Sequence, residues 1–356
     1  MEKDPPENLT PLRCQKEKGM ERKIDVIGVE HQIMDLAIRI NRIPKTDGIS
    51  LVKDMCWAGG GNASSALVAL ARLGASAAIV GTAGNDAYGD FCVRDMARNQ
   101  VDVSHLKQVE GDTTLCICLA EEETQGRSFL GKAGTSAELT PEEVDEVFIS
   151  AAKVLHLSCL PCATQAAAIE FAEKHQVEIF LDAGAYSPAG MELAKRSDIL
   201  IMSEDFYRGM FGDDGRYLEN CGKLLEGKPH IVVVTLGKAG CVGAGHGEAF
   251  SLEAFSSEHK VVDTTGAGDV FHGGFLYAYL YRFQKAPYDY SLEDCARFAS
   301  AVSYLNCLTL GGRPGIPTLS MVDRFLTEGK VETDCLAERK KFYRDGIFYQ
   351  KDVMEE

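Results

Sequence analysis

From Val154 to Leu305 short β-branched runs alternate with longer stretches whose apolar residues recur at helical spacing. Val154–Leu157, Glu178–Leu181, Ile199–Met202 and Ile231–Thr235 read as buried strands, and Ala163–Lys174, Asp269–Tyr281 and Leu292–Leu305 as helices. Strand, helix, strand in succession demands a mainly parallel sheet with helices on both faces. Lys23–Val29 and Ala77–Val80 add strands, and Asn62–Leu73 adds a helix of small and apolar residues. Four other segments resist that scheme: Ile33–Ile40, Ile49–Cys56, Thr113–Ala120 and Arg127–Gly131 alternate apolar with polar residues, so one face is covered and one exposed. They are expected to form a small second sheet, a lid over one end of the first, inserted into one domain spanning 23–327 rather than set beside it.

Residues 1–22 are polar and rich in charge and proline, without the apolar core of a signal peptide, and read as a flexible extension. Residues 328–356 form a charged tail carrying Phe342, Tyr343, Phe348 and Tyr349, expected to pack on the domain or on a partner chain. The formal net charge is 37 − 53 = −16, which argues against DNA, RNA or anionic lipid as partners. No apolar run approaches the ~20 residues that span a bilayer, and the expected location is cytoplasmic. The 12 cysteines are scattered, several of them inside apolar segments, so they read as reduced thiols. Cys159-Leu-Pro-Cys162 lies between a strand and a helix, where a thiol pKa can fall. A second ligand pair is missing, however, and the surrounding pattern is not that of a thioredoxin.

Val261–Phe275, VVDTTGAGDVFHGGF, carries the most chemistry. An apolar strand is expected to end at Val262, with Gly266-Ala267-Gly268 as a tight turn and a helix from about Asp269. Glycines let a backbone approach a ligand closely, and the first turn of a helix offers free N–H groups and a positive dipole end, which together suit a phosphate. Asp269 is out of place beside an anion unless it caps the helix or takes a proton from an attacking hydroxyl. In isolation the cap is the simpler reading; the flanking Asp263-Thr264-Thr265 and the strand-before, helix-after context favour the base. GxxxxGK[ST] is absent, and Gly59–Gly61 lacks the spacing of a dinucleotide loop.

Two separated signatures, GGNASSALVALARLGA at Gly60–Ala75 continuing into VGTAGNDAYGD at Val80–Asp90, and DTTGAGD at Asp263–Asp269, resemble the PfkB, or ribokinase-like, carbohydrate kinases. The likeness extends from about Lys23 to Leu326. It implies a ribokinase-like three-layer α/β/α sandwich with a small β-sheet lid, an ATP-dependent kinase acting on a small sugar, and Mg²⁺ with the nucleotide. Asp269 would be the catalytic base, and the Gly266, Ala267 and Gly268 amides the anion hole. Asp35 matches the aspartate that binds sugar hydroxyls, and Gly60 and Gly61 the glycine pair under the substrate. Arg127 matches an arginine that in ketohexokinase-like members reaches the ATP phosphates, and Thr235, Gly237 and Gly240 the nucleotide-side loop. Asp263 and Thr265, with Gly311–Pro317, resemble a monovalent-cation site suited to K⁺. A homodimer through the lid is a further expectation.

Two positions depart from the family. The Asn-x-x-Glu motif is replaced by Ser203-Glu204-Asp205-Phe206. Ser65 stands where many sugar kinases have asparagine; it is shorter and is expected to leave room for a bulkier acceptor. Asn62 directly after the glycine pair is shared with ketohexokinases and tilts the reading towards a ketohexose such as fructose. A nucleoside or an acidic sugar derivative, met by Arg313, Lys132 or Lys53, is the alternative acceptor; a non-catalytic sugar- or nucleotide-binding regulator is the alternative class.

Overall fold

The computed structural model describes residues 22–255, 259–284, 290–332 and 336–346. Most of the expected N-terminal extension, together with Phe348 and Tyr349, lies outside the described residues. The chain opens with β1 Ile24–Val29, β2 Ile33–Ile40, β3 Val52–Gly59, α1 Asn62–Leu73, β4 Ala77–Gly84, α2 Ala87–Arg98, β5 Asp102–Val109, β6 Thr114–Glu121 and β7 Arg127–Lys132. It continues through α3 Glu146–Ser150, β8 Ala152–Ser158, α4 Ala163–Lys174, β9 Glu178–Ala183, α5 Pro188–Ala194, β10 Ile199–Ser203, α6 Glu204–Phe211, α7 Tyr217–Leu224, β11 Ile231–Thr235, β12 Cys241–Gly245 and β13 Glu248–Leu252. It ends with α8 Ala267–Ala278, α9 Leu292–Cys307, α10 Leu319–Glu328 and α11 Ala337–Asp345.

Nine strands form the large sheet in the order β13-β12-β11-β10-β9-β8-β1-β4-β5. It is parallel from β11 to β5, and β12 and β13 add an antiparallel edge. Alternate residues of one strand feed opposite cores, as the pleat requires. Ile199, Ile201, Ile231 and Val233 pack with α1, α8, α9 and α10, while Leu200, Met202, Val232 and Val234 pack with α4, α6 and α7. Strands buried on both faces explain the unbroken apolar runs of the sequence. The small residues of α1 also find their reason: α8 lies against it, and a methyl added at Gly273 would press on the Ala66 carbonyl. The two sequence signatures are thus neighbouring helices.

The four lid strands pair in the order β3-β2-β6-β7. Ladder partners share a face, so Asp35, Cys116, Ala58 and Gly131 stand together on one side, followed by Ala37, Cys118, Cys56 and Phe129. β3 runs over 52–59 instead of the expected 49–56, because its register carries it to Gly59 opposite Met34, leaving Ile49 and Leu51 exposed. The edge strands β5, β12 and β13 and helices α2, α3, α5, α6, α7, α10 and α11 were not anticipated. The strand expected at Val261–Val262 belongs to neither sheet: Val262 N–H donates to the Cys307 carbonyl at the end of α9, 2.8 Å away. Among the described residues no helix is long and apolar enough to cross a membrane.

Candidate active site

Helix α8 begins two residues earlier than expected, with Gly266 as its cap at φ 72°. Asp269 therefore lies inside the first turn and is not the cap, which removes the simpler explanation of its carboxylate. The loop is braced from below: Asp263 accepts the N–H of Thr265 (2.9 Å) through Oδ1 and that of Gly311 (2.8 Å) through Oδ2. Gly266 is pressed against Gly312, but a methyl added at Gly268 would meet nothing within 4 Å. Open space over the first-turn amides is what an anion hole needs.

Across from this loop, Glu30 at the end of β1 accepts the N–H groups of Ala63 (3.2 Å) and Ser64 (2.8 Å), fixing the start of α1. A methyl at Gly60 would overlap the Asp35 carboxylate, so only glycine lets the lid aspartate sit against that backbone. Asn62 Nδ2 donates to Asp182 Oδ2 at the end of β9 (2.9 Å), and the same oxygen lies 3.3 Å from His272 Nδ1 of α8. Ligating atoms of Asp182, Asp269 and His272 all lie within 4.8 Å of one another. Strand ends and helix starts thus converge at the C-terminal edge of the parallel sheet, where open α/β folds bind ligands.

The electrostatics follow from crowded carboxylates. Burial and the charges of Asp182, Glu30 and Asp35 push the Asp269 carboxyl well above its usual range, with Arg127 opposing. Burial, reinforced by Cys116, pushes Asp35 up to about 8, and Arg313 works against it. Burial also works against ionised Asp182, yet His272, His156 and the Asn62 hydrogen bond outweigh it and hold that carboxyl below the usual range. His156, wholly buried next to this cluster, is pushed down to about 3 and is neutral.

Arg127, at the start of β7, donates through Nη1 to Thr264 Oγ1 (2.8 Å), so the lid already reaches the loop that leads into α8. Thr235 ends β11 and donates to the Met202 carbonyl (3.4 Å); Gly237 opens the short turn that follows, and Gly240 closes it. Ser203, standing where the motif has asparagine, caps α6, with its Oγ accepting from Phe206 N–H at 3.0 Å. Glu204 is engaged by Arg208 and Tyr217, while Asp205 is exposed.

The room expected beside Ser65 does not exist. Ser65 is 3% exposed, and its hydroxyl accepts from Arg313 Nε (3.3 Å). The Arg313 guanidinium fills the space, holding Asp95 Oδ2 through Nη1 (2.7 Å) and the Gly60 carbonyl through Nη2. It is 0% exposed and is not positioned to greet a substrate anion. Lys132 is paired with Asp112 and Lys53 with Glu122. Sequence reasoning missed Glu30, Asp182 and the Asp95–Arg313 pair. Asp182 ends a strand at the ligand-binding edge, a position that could have marked it. Cys159 and Cys162 do not act as a pair: Cys159 donates to the Ala185 carbonyl, and Cys162 caps α4.

The family described as pfkB family carbohydrate kinase matches residues 23–319. An ATP-dependent ribose-1-phosphate kinase of Halopiger xanaduensis is 28% identical over 313 residues, covering 86% of this chain and 99% of that protein. A probable fructokinase-7 of Arabidopsis thaliana is 26% identical over 81% of this chain and 90% of its own length. The ribokinase of Arabidopsis thaliana complexed with ribose and ATP superposes with a TM-score of 0.72 at 24% identity, covering 86% of this chain and 99% of that one. A putative ribokinase II of E. coli in complex with ATP and Mg²⁺ gives 0.70 at 18%, over 85% and 99%.

Proposed function

The chain belongs to the pfkB family of carbohydrate kinases, and on that footing we propose that it moves the terminal phosphoryl group of ATP onto a hydroxyl of a neutral ketohexose such as fructose, with Asp269 as the base. The observation that carries this reading is Asp269 inside the first turn of α8, beside the open space over Gly268 and next to the Asp182 carboxylate that Asn62 holds. Asp35 and the Gly60–Gly61 backbone hold the sugar, and Asn62 keeps Asp182 in place while offering its own carbonyl oxygen. Asp269 accepts the proton of the attacking hydroxyl. The Gly266, Ala267 and Gly268 amides and Arg127 meet the phosphate charge. Thr235, Gly237 and Gly240 flank the nucleotide.

Mg²⁺, when bound, neutralises phosphate charge. Glu204 being engaged, Asp205 is the exposed carboxylate left near the substituted motif to meet a hydrated Mg²⁺. Thr265 Oγ1 is buried without a hydrogen-bond partner beside the Asp263 carboxylate, an oxygen-rich setting that suits a monovalent cation such as K⁺.

A neutral acceptor is favoured because the acceptor side is lined by Glu30, Asp35, Asp182 and Asp269, while Lys53, Lys132 and Arg313 are engaged elsewhere. The ribose-1-phosphate kinase among the relatives keeps a second reading, an anionic sugar acceptor, in contention. ADP release across a panel of ketohexoses, pentoses, sugar phosphates and nucleosides separates them: the highest kcat/KM belongs to a ketohexose on the present reading, and a sugar phosphate in first place overturns it. Asp269→Asn is expected to lower kcat by roughly 10²–10⁴ while ATP binding, measured by calorimetry, survives; normal turnover in that variant rules out Asp269 as the base.

A further inference from the structure

On the site face of the lid, two thiols for which phosphoryl transfer has no use lie beside the Asp35 carboxylate. Cys116 and Cys118 are two apart on β6 and so point to the same side, and Cys116 stands opposite Asp35 on β2. Their sulfurs are 3.8 Å apart, and one ligating atom from each of Asp35, Cys116 and Cys118 lies within 4.8 Å of the others. Two sulfurs bound at about 2.3 Å to one tetrahedral zinc stand about 3.8 Å apart, so the dithiol already has the edge length of a zinc-thiolate pair. No protein hydrogen bond ends on the Asp35 carboxylate among the described residues, and Asp35 and Cys116 each keep part of their surface open to solvent although the Asp35 carboxyl is packed about by protein. Among the described residues no other thiol belongs to such a cluster; Cys56, for instance, donates to the Leu310 carbonyl, Cys92 to the Ile33 carbonyl and Cys159 to the Ala185 carbonyl.

We propose that Asp35, Cys116 and Cys118 bind one thiophilic divalent cation, of which Zn²⁺ and Cd²⁺ are the type, in the acceptor pocket, and that this ion and the sugar exclude each other. Each thiol, and the Asp35 carboxyl where it is still protonated, gives its proton to solvent as it becomes a ligand. Three protein ligands leave the fourth tetrahedral position to water, the arrangement of an exchangeable zinc rather than a structural one. Occupancy withdraws Asp35 from the sugar, so the ion acts as an acceptor-competitive inhibitor. The binding half of this proposal stands independently of the kinase reading; only the competition half rests on it.

The test uses the full chain, stripped of metal by a chelator and kept reduced with a phosphine. Equilibrium dialysis against Zn²⁺ is expected to show one tightly held ion per chain that the Cys116→Ser/Cys118→Ser double variant does not hold. Co²⁺ added to the unsubstituted chain should give a thiolate charge-transfer band and the intense visible bands of a tetrahedral site, both lost in the double variant. This spectrum reports the ligands even where the double variant melts early. The same Zn²⁺ stoichiometry and affinity in a folded double variant, or the absence of a thiolate band with Co²⁺, overturns the site. With the best sugar of the panel and Mg²⁺-ATP in excess, Zn²⁺ should raise the KM for the sugar at least tenfold and leave kcat in place. A fall in kcat at unchanged KM overturns the competition while leaving the binding result intact.

Discussion

Asp35 and Asp269 are both carboxyls pushed up by burial, but the shift acts on stability in one and on turnover in the other. In the folded chain Asp35 keeps its proton up to about 8, whereas in the unfolded chain it loses it near 3.8. Between those values unfolding releases a proton, so the stability associated with this group is complete below 3.8 and declines as pH rises to about 8. Asparagine mimics the neutral form and fits the same space against Gly60. Asp35→Asn is therefore expected to match the unsubstituted apoprotein in thermal midpoint at pH 4 and to exceed it at pH 8.5, while its KM for the sugar rises; equal midpoints at both pH values contradict the assignment. As the proposed base, Asp269 has to be ionised, so the acid limb of kcat/KM should lie above the ordinary carboxylate range. The Arg127 guanidinium opposes the shift, and Arg127→Ala should move that limb to higher pH as well as weaken ATP binding. A pH–rate profile of both enzymes checks this.

At the scale of elements, the acceptor backbone is held from beneath by the C-terminal helix α11. The Tyr343 hydroxyl donates to Asp95 Oδ1 (2.7 Å) and accepts from Arg72 (3.1 Å) and Asn99 (3.3 Å). Asp95 in turn accepts from Gly59 N–H (3.2 Å) and Arg313 (2.7 Å), and Arg313 holds the Gly60 carbonyl. Tyr343→Phe deletes the hydrogen bonds to Asp95, Arg72 and Asn99, the first two charge-assisted, and should cost at least about 1–3 kcal/mol in denaturant unfolding. Its kinetic mark should be a raised KM for the sugar at nearly constant kcat, because the hydroxyl acts through Gly59 and Gly60 and not on the phosphoryl group; a fall confined to kcat would contradict the chain of contacts. Arg313→Met leaves Asp95 buried without its cation and should cost about 3–5 kcal/mol.

These contacts also mark what the sequence could reveal. Gly60, Gly61, Gly266 and Asp269 were legible because each answers a local demand: close approach, positive φ or an ion at a helix start. The β-branched runs announced their strands because burial on both faces leaves no polar positions. Arg313 and Tyr343 answer to Asp95, 218 and 248 residues away. Nothing in their own neighbourhoods signals that pairing, so Arg313 read as a candidate for the substrate and Tyr343 as part of a charged tail. Ser65 misled for the same reason, since the group that fills the space beside it comes from the far end of the domain. Val261–Val262 has the composition of a strand, but its partner is a helix end, which composition does not report.

For the whole molecule, the lid has two faces with different obligations. Its inner face carries Asp35, Cys116 and Cys118 and, on the proposed function, has to open to admit the sugar. Ladder pairing sets Leu36, Ile38, Met55, Ile117, Leu119 and Leu130 on the other side, and Leu130 is 58% and Met55 41% exposed. A sheet with apolar residues on both faces needs cover on both. α2 packs at the Met34 end, and α11 reaches only the Trp57 end of β3, where Gly346 lies against the indole. A second lid supplies an equal and complementary apolar face, and two-fold pairing of identical patches is the commonest closed assembly. We therefore expect a homodimer joined lid to lid. Sedimentation equilibrium should give twice the 38.7 kDa chain mass, and Met55→Glu/Leu130→Glu should bring it to the monomer while the far-ultraviolet circular dichroism spectrum is kept. Because each lid would then be buttressed by its partner, the monomeric variant should also show a higher KM for the sugar than for ATP relative to the dimer; a monomer with unchanged sugar KM would detach assembly from function, and a dimer that survives both substitutions would place the interface elsewhere.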